Sequence, residues 1–164
     1  VDERFEGWYR QEHRRVLSAC AALSGDVDAA CEATDEAFAR AMLRWPAVSS
    51  MPSPGAWVQT VALNCLRRSL RRRRAERLLG RRPPPVVDAP AVNPELWAAV
   101  RTLPPRQRVA MVLRYVADLS EPQIGEVMGI SRGAVAASLS AGRKRLAGIL
   151  NDAELRTVKE AEHG

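Results

Sequence analysis

Lysine is nearly missing from this 164-residue chain: of its 25 basic residues only Lys144 and Lys159 are lysine. Its positive surface is therefore built from guanidinium forks, which suit bidentate contact with phosphates and stacking on bases. A GC-rich genome, which favours Arg and Ala codons, is an equally plain source of the bias. Histidine is scarcer still, with His13 and His163 at opposite ends, and Cys20, Cys31 and Cys65 show no CxxC spacing. That excludes a disulfide framework and a zinc site of ordinary ligand spacing, and the thiols read as three small buried groups in a reducing compartment. No run of 18 apolar residues exists, and the VDERFEGWYR start is charged from its second residue, unlike a signal peptide. The expectation is a cytoplasmic protein with no membrane insertion. GxGxxG, GxxxxGK[ST] and HExxH are all absent and no nucleophile neighbours a base, so the reading is no enzyme, no cofactor and no metal.

What remains is 46% apolar, 27% charged and carries a net charge of +6, which favours a polyanionic partner or simply solubility. Strand signals are scarce against Ala, Leu, Arg and Glu, so the chain reads as all-α, two small helical domains joined by a Pro-rich linker, the second a helix-turn-helix. A first helix is predicted from about Glu3 to Ser24, ended by Gly25. Asp26 caps a second, to about Trp45, which Pro46 stops. Ser53-Pro54 opens a third through Trp57 into the arginine run RRSLRRRR, residues 67–74. The proline-rich segment 80–94 reads as an extended linker. The expected divisions are thus 1–79, the linker 80–94, 95–150 and a polar tail, 151–164.

Within the second half, Asn93-Pro94 starts a short helix, LPPRQRVAMVLRYV forms another, and LSEPQIGEVMGIS a third, with Ser120 as cap and Gly129 as turn residue. Ser131 caps the last helix. Ile124, Val127, Ile130, Val135 and Leu139 have the spacing of two short helices crossing about a tight turn. Two charged faces stand out in the first half. Asp28, Glu32, Asp35 and Glu36 line one helix face, either a protein-binding surface or a solvated one. Arg67, Arg71 and Arg74 share a face with Arg68 and Arg72 beside it, a stripe able to neutralise several phosphates. Trp45 and Trp57 flank the preceding loop and would stack on single-stranded bases, unless Trp57 is core and Trp45 only closes its helix.

Three stretches together resemble the extracytoplasmic-function class of bacterial RNA polymerase sigma factors: GDVDAACEATDEAFARAMLRW, AWVQTVALNCLRRSLRRRR, and the long run from Leu103 to Leu146. The resemblance implies a non-enzymatic initiation factor that binds bacterial core RNA polymerase, recognises promoter DNA and helps melt it. Glu32, Asp35, Glu36, Phe38 and Arg40 would dock on polymerase. The segment from Trp45 to Asn64, with Trp57, Asn64, Arg67, Arg68 and Arg71, would hold the unwound minus-ten strand. Ser131, Arg132, Gly133, Ala134, Arg143 and Lys144 would meet the minus-thirty-five duplex. Such factors are commonly held by an anti-sigma factor, so that partner too is implied.

One stretch departs from the family. Between Arg132 and Arg143 the recognition helix carries no charge, with Ala136, Ser138 and Ala141 where basic residues are usual. Its capped N-terminus can still hold a phosphate and Ala134 or Ala136 can touch a thymine methyl, so duplex binding is expected to be weak or shape-driven. A stand-alone helix-turn-helix regulator and a sigma-like decoy stay open beside the sigma reading.

Overall fold

The computed structural model describes residues 3–80 and 94–162. Apart from its ends, Gly80 and Pro94, the expected linker lies outside the described residues. Among these there are eight helices and no strand. They run α1 (Glu3–Ser24), α2 (Val27–Leu43), α3 (Trp45–Ser49), α4 (Pro54–Leu78), α5 (Pro94–Thr102), α6 (Pro105–Tyr115), α7 (Glu121–Met128) and α8 (Arg132–Glu162). The chain is all-α, built as two helical domains.

Local chemistry sets the helix ends. Gly25 takes φ +65° after α1, and the Asp26 carboxylate accepts the Ala29 amide to start α2. Ser53 accepts the Ala56 amide ahead of Pro54 at the start of α4. Ser120 and Gln123 form a reciprocal capping box on α7, and Gly129 closes that helix at φ +65°. The second helix ends earlier than its sequence pattern suggests. It stops at Leu43, and Pro46 occupies the first turn of a separate short helix, α3, rather than ending α2. Proline has no backbone donor, and a first-turn residue needs none, so it can start a helix as well as break one.

The first core forms where α1 and α4 pack on α2. Five alanines of α2, Ala29, Ala30, Ala33, Ala37 and Ala41, are buried at this contact, and small side chains permit close helix approach. At the open end of α1, Phe5, Trp8, Tyr9, Phe38 and Trp45 assemble, with Trp8 and Trp45 centroids 5.0 Å apart and Phe5 edge-on to Trp45 at 5.2 Å. Cys20 and Cys65 are buried here, whereas Cys31 is half-buried; burial pushes the Cys20 thiol up to about 12.

The second core gathers Leu103, Leu113, Ile124, Val135 and Leu139 from α6, α7, α8 and the turn before α6. Gly142 lets α8 cross α6 closely, since a Cβ there would lie 2.8 Å from Met111 Cγ. The two halves touch through α1 against α6 and α4 against α7. Gln123 Nε2 donates to Ser53 Oγ at 2.8 Å, and Arg15 reaches Asp118 at 3.4 Å.

Candidate nucleic-acid interface

The arginine run follows the helical phase of α4. Leu66, Leu70 and Arg73 fall at i, i+4 and i+7 on the inward side, so Arg67, Arg68, Arg71, Arg72 and Arg74 are left exposed. Arg73 is the exception within the run: its side chain is only 10% exposed and it meets carboxylates on both sides, Asp26 at 3.0 Å and Glu32 at 3.0 Å. Arg67 Nη1 donates to Asn64 Oδ1 at 3.2 Å, which links two residues singled out in the sequence. Arg72 lies 3.6 Å from Glu32 and 4.0 Å from Glu76, whereas Arg71 and Arg74 form no ion pair among the described residues. The stripe is a row of forks with unequal availability.

Before α4, the loop leads into a groove of about 270 Å³ lined by Met51, Pro52, Ser53, Trp57, Thr60 and, from the other half, Glu126. Trp57 is half-buried, packs against the core along one side and lines the groove. Trp45 does not share this groove. It is 9% exposed within the aromatic assembly, which removes its face from any incoming base.

The acidic residues of α2 divide into two groups. Glu32 turns toward α4, accepting from Ser69 Oγ at 3.2 Å and pairing with Arg73 and Arg72, so much of its charge is taken up inside the chain. Asp35 is exposed, 3.8 Å from His13, and Glu36 binds Arg40 at 2.7 Å. That hydrogen bond raises the Arg40 pKa above its usual value. Phe38, placed in the sequence among polymerase-docking residues, is 3% exposed and packs against Trp8, Tyr9 and His13. Its geometry supports the face from beneath, because a ring enclosed on all sides has no surface to offer a partner.

At the start of α8, Ser131 Oγ accepts the Ala134 amide at 3.2 Å and Arg132 Nε lies 3.5 Å from Glu121. Ser131, Arg132 and Gly133 are exposed and Ala134 is half-buried. Further along, Ala136, Ala137 and Ser140 continue the exposed face toward Arg143 and Lys144. Ser138 is half-buried and bonds back to the Ala134 carbonyl at 2.8 Å. Two roles were not visible in the sequence. Arg73 is counted by composition as one more basic residue, although its phase with Leu66 and Leu70 marks it as inward. Tyr115, 28 residues away, accepts the Arg143 Nε proton at 2.7 Å, and no local pattern joins them.

Among the described residues no group of His, Cys, Asp and Glu is arranged to hold a metal, and no helix is long and apolar enough to cross a membrane. Residues 8–76 match the family described as Sigma-70 region 2, and residues 94–146 match Sigma-70, region 4. Two solved structures share the fold. One is the sigma factor RpoE from Bartonella quintana in complex with the anti-sigma factor NepR, with 18% identity, 91% of this chain and 98% of that chain covered, and a TM-score of 0.73. The other is CnrH in complex with the cytosolic domain of CnrY, at 22% identity, 93% and 90% coverage, and a TM-score of 0.66. With both regions matched in order over the two halves, the chain belongs to the sigma-70 family of RNA polymerase sigma factors.

Proposed function

We propose that this sigma factor divides its work among three surfaces. Asp35, Glu36 and Arg40 on α2, braced by Glu32 and Phe38, meet core polymerase. The loop at Met51 to Ser53, with Trp57, Asn64, Arg67, Arg68 and Arg71, holds the unwound minus-ten strand. Ser131, Arg132, Gly133 and Ala134, with Arg143 and Lys144, meet the minus-thirty-five duplex. It works in the cytoplasm as a non-enzymatic factor, and an anti-sigma protein is its regulatory partner, as the anti-sigma factor NepR is bound to RpoE in one structural neighbour.

The observation that carries this reading is the exposed arginine face of α4 beside the Trp57 groove. Cations that track a backbone next to an aromatic that can stack are what single-strand capture requires. The shortage of charge in the middle of α8 is offset by polymerase, which turns duplex binding into an intramolecular step.

The test mixes the purified chain with bacterial core polymerase and asks whether they co-elute and start transcription at fixed sites on a genomic fragment library. Fixed start sites that core alone does not use support the proposal. Binding without initiation favours a decoy, and no binding overturns it in favour of a stand-alone DNA-binding regulator.

A further inference from the structure

Tyr115 is the only aromatic among the exposed large hydrophobic residues described, at 59% exposure, and it stands at the C-terminal end of α6. Its phenol oxygen accepts Arg143 Nε at 2.7 Å, and the Arg143 guanidinium carbon lies 5.9 Å from the ring centroid, within cation–π range. Bonding through Nε leaves the two terminal nitrogens of the fork, Nη1 and Nη2, pointing away with no protein partner among the described residues. The phenolic O–H is likewise left to donate.

Neighbouring cations are spent differently. Arg114, next to Tyr115, donates to the Leu119 carbonyl at 2.9 Å and braces the following turn. Arg132 is drawn to Glu121. Arg143 lies seven residues beyond Ala136, which brings it to nearly the same side of α8 as the uncharged stretch of the recognition helix.

We infer that Tyr115 is a positioning residue that presents Arg143 as a clamp for a single phosphate of the duplex, with the phenolic hydroxyl as third donor. A long arginine side chain loses rotamer freedom when it binds, and a fork fixed beforehand loses less. A helix that carries no charge between Arg132 and Arg143 gains from fixing the first cation beyond that gap. The inference rests on the reading that α8 meets duplex DNA, and names a residue outside the sequence motif.

Because a phosphate contact carries no base information, a short mixed-sequence duplex serves as the probe, titrated against the full chain at several salt concentrations. Arg143→Ala is expected to weaken binding about tenfold and to lower the salt slope by about one phosphate's share. Tyr115→Phe is expected to weaken binding about threefold with the slope and melting temperature unchanged, since the phenol's hydrogen bonds are lost but no charge is removed. In Arg143→Lys, which has no Nε fork, the additional Tyr115→Phe change should cost less than it does in the parent, since only the phenol's own bond to the phosphate is then lost. If Arg143→Ala binds as the parent does, the DNA role of this end of α8 falls. If Arg143→Ala weakens binding while Tyr115→Phe does not, the positioning inference falls alone.

Discussion

The Asp26 carboxylate grips Arg73 with both oxygens, Oδ1 at 3.2 Å and Oδ2 at 3.0 Å from Nη1, across 47 residues of sequence. The same Oδ1 accepts the Ala29 amide at 2.9 Å, so one side chain caps α2 and anchors α4. Asp26→Ala should therefore cost about 3 kcal/mol, because it leaves a buried guanidinium short of one of its two carboxylates and removes a cap. Asp26→Asn keeps the cap and should be less damaging by about 1 kcal/mol. Denaturant unfolding of the two variants measures the difference, and equal losses would remove the cap from the account.

Unequal availability along the arginine face has its own signature. Arg71→Ala should lower the slope of log affinity against log salt for a single-stranded oligonucleotide by about 0.7, the share of one phosphate. Arg72→Ala should lower it less, since Glu32 and Glu76 already take part of that charge. Equal slopes for both variants would show that those ion pairs dissolve on binding.

Glu12 carries a pH dependence. Burial pushes its carboxyl above the ordinary 4.5, Arg15 opposes this at 3.6 Å, and Asp118 from the turn after α6 adds to the rise. The folded chain therefore holds this proton more tightly than the unfolded one. The group favours folding fully below pH 4.5, and that contribution is lost as pH rises through the raised folded value. Glu12→Gln should match the parent in acid and exceed it in stability near neutrality; a constant difference in thermal midpoint across that window would contradict the assignment.

Two glycines in α8 should respond in opposite directions. A Cβ at Gly148 would meet no atom of another element within 4 Å, so Gly148→Ala should stabilise by about 1 kcal/mol through helix propensity. At Gly142 a Cβ would meet Met111 Cγ at 2.8 Å and Sδ at 3.1 Å, and the overpacking, about 1–3 kcal/mol, should cancel or exceed that gain. Circular dichroism melts of the two variants test the pair.

On the recognition face, Ala136→Lys should tighten duplex binding about fivefold or more by adding one phosphate contact. Ser138→Arg should gain less than its charge suggests, because it gives up the Ser138 bond to the Ala134 carbonyl and starts from a half-buried position. Anisotropy titrations of the single variants separate the two contributions.

Much of this was legible in the sequence wherever the signal is local. Asp26, Ser53, Ser120 and Ser131 cap helices through their own neighbours' amides, and Gly25 and Gly129 take the left-handed geometry expected of them. Less legible were features set by what covers a face. Periodicity placed Glu32 in an acidic stripe but could not show that α4 lies over it, and it could not show that Trp8 and Tyr9 enclose Phe38. Pro46 was ambiguous for the same reason, since only the path of the chain decides whether a proline ends one helix or begins the next.

The contact between the two halves also bears on their freedom to separate. Among the described residues it is held by one neutral hydrogen bond, Gln123 to Ser53, by the surface pair Arg15 and Asp118, and by an apolar seam where Leu63, Leu66 and Leu70 face Pro105 and Val109. The two polar links together contribute only about 1–2 kcal/mol. Ser53 still accepts the Ala56 amide when Gln123 withdraws, so parting the halves leaves α4 capped. Release of this joint would therefore unravel neither side, and the apolar seam supplies most of what opposes it.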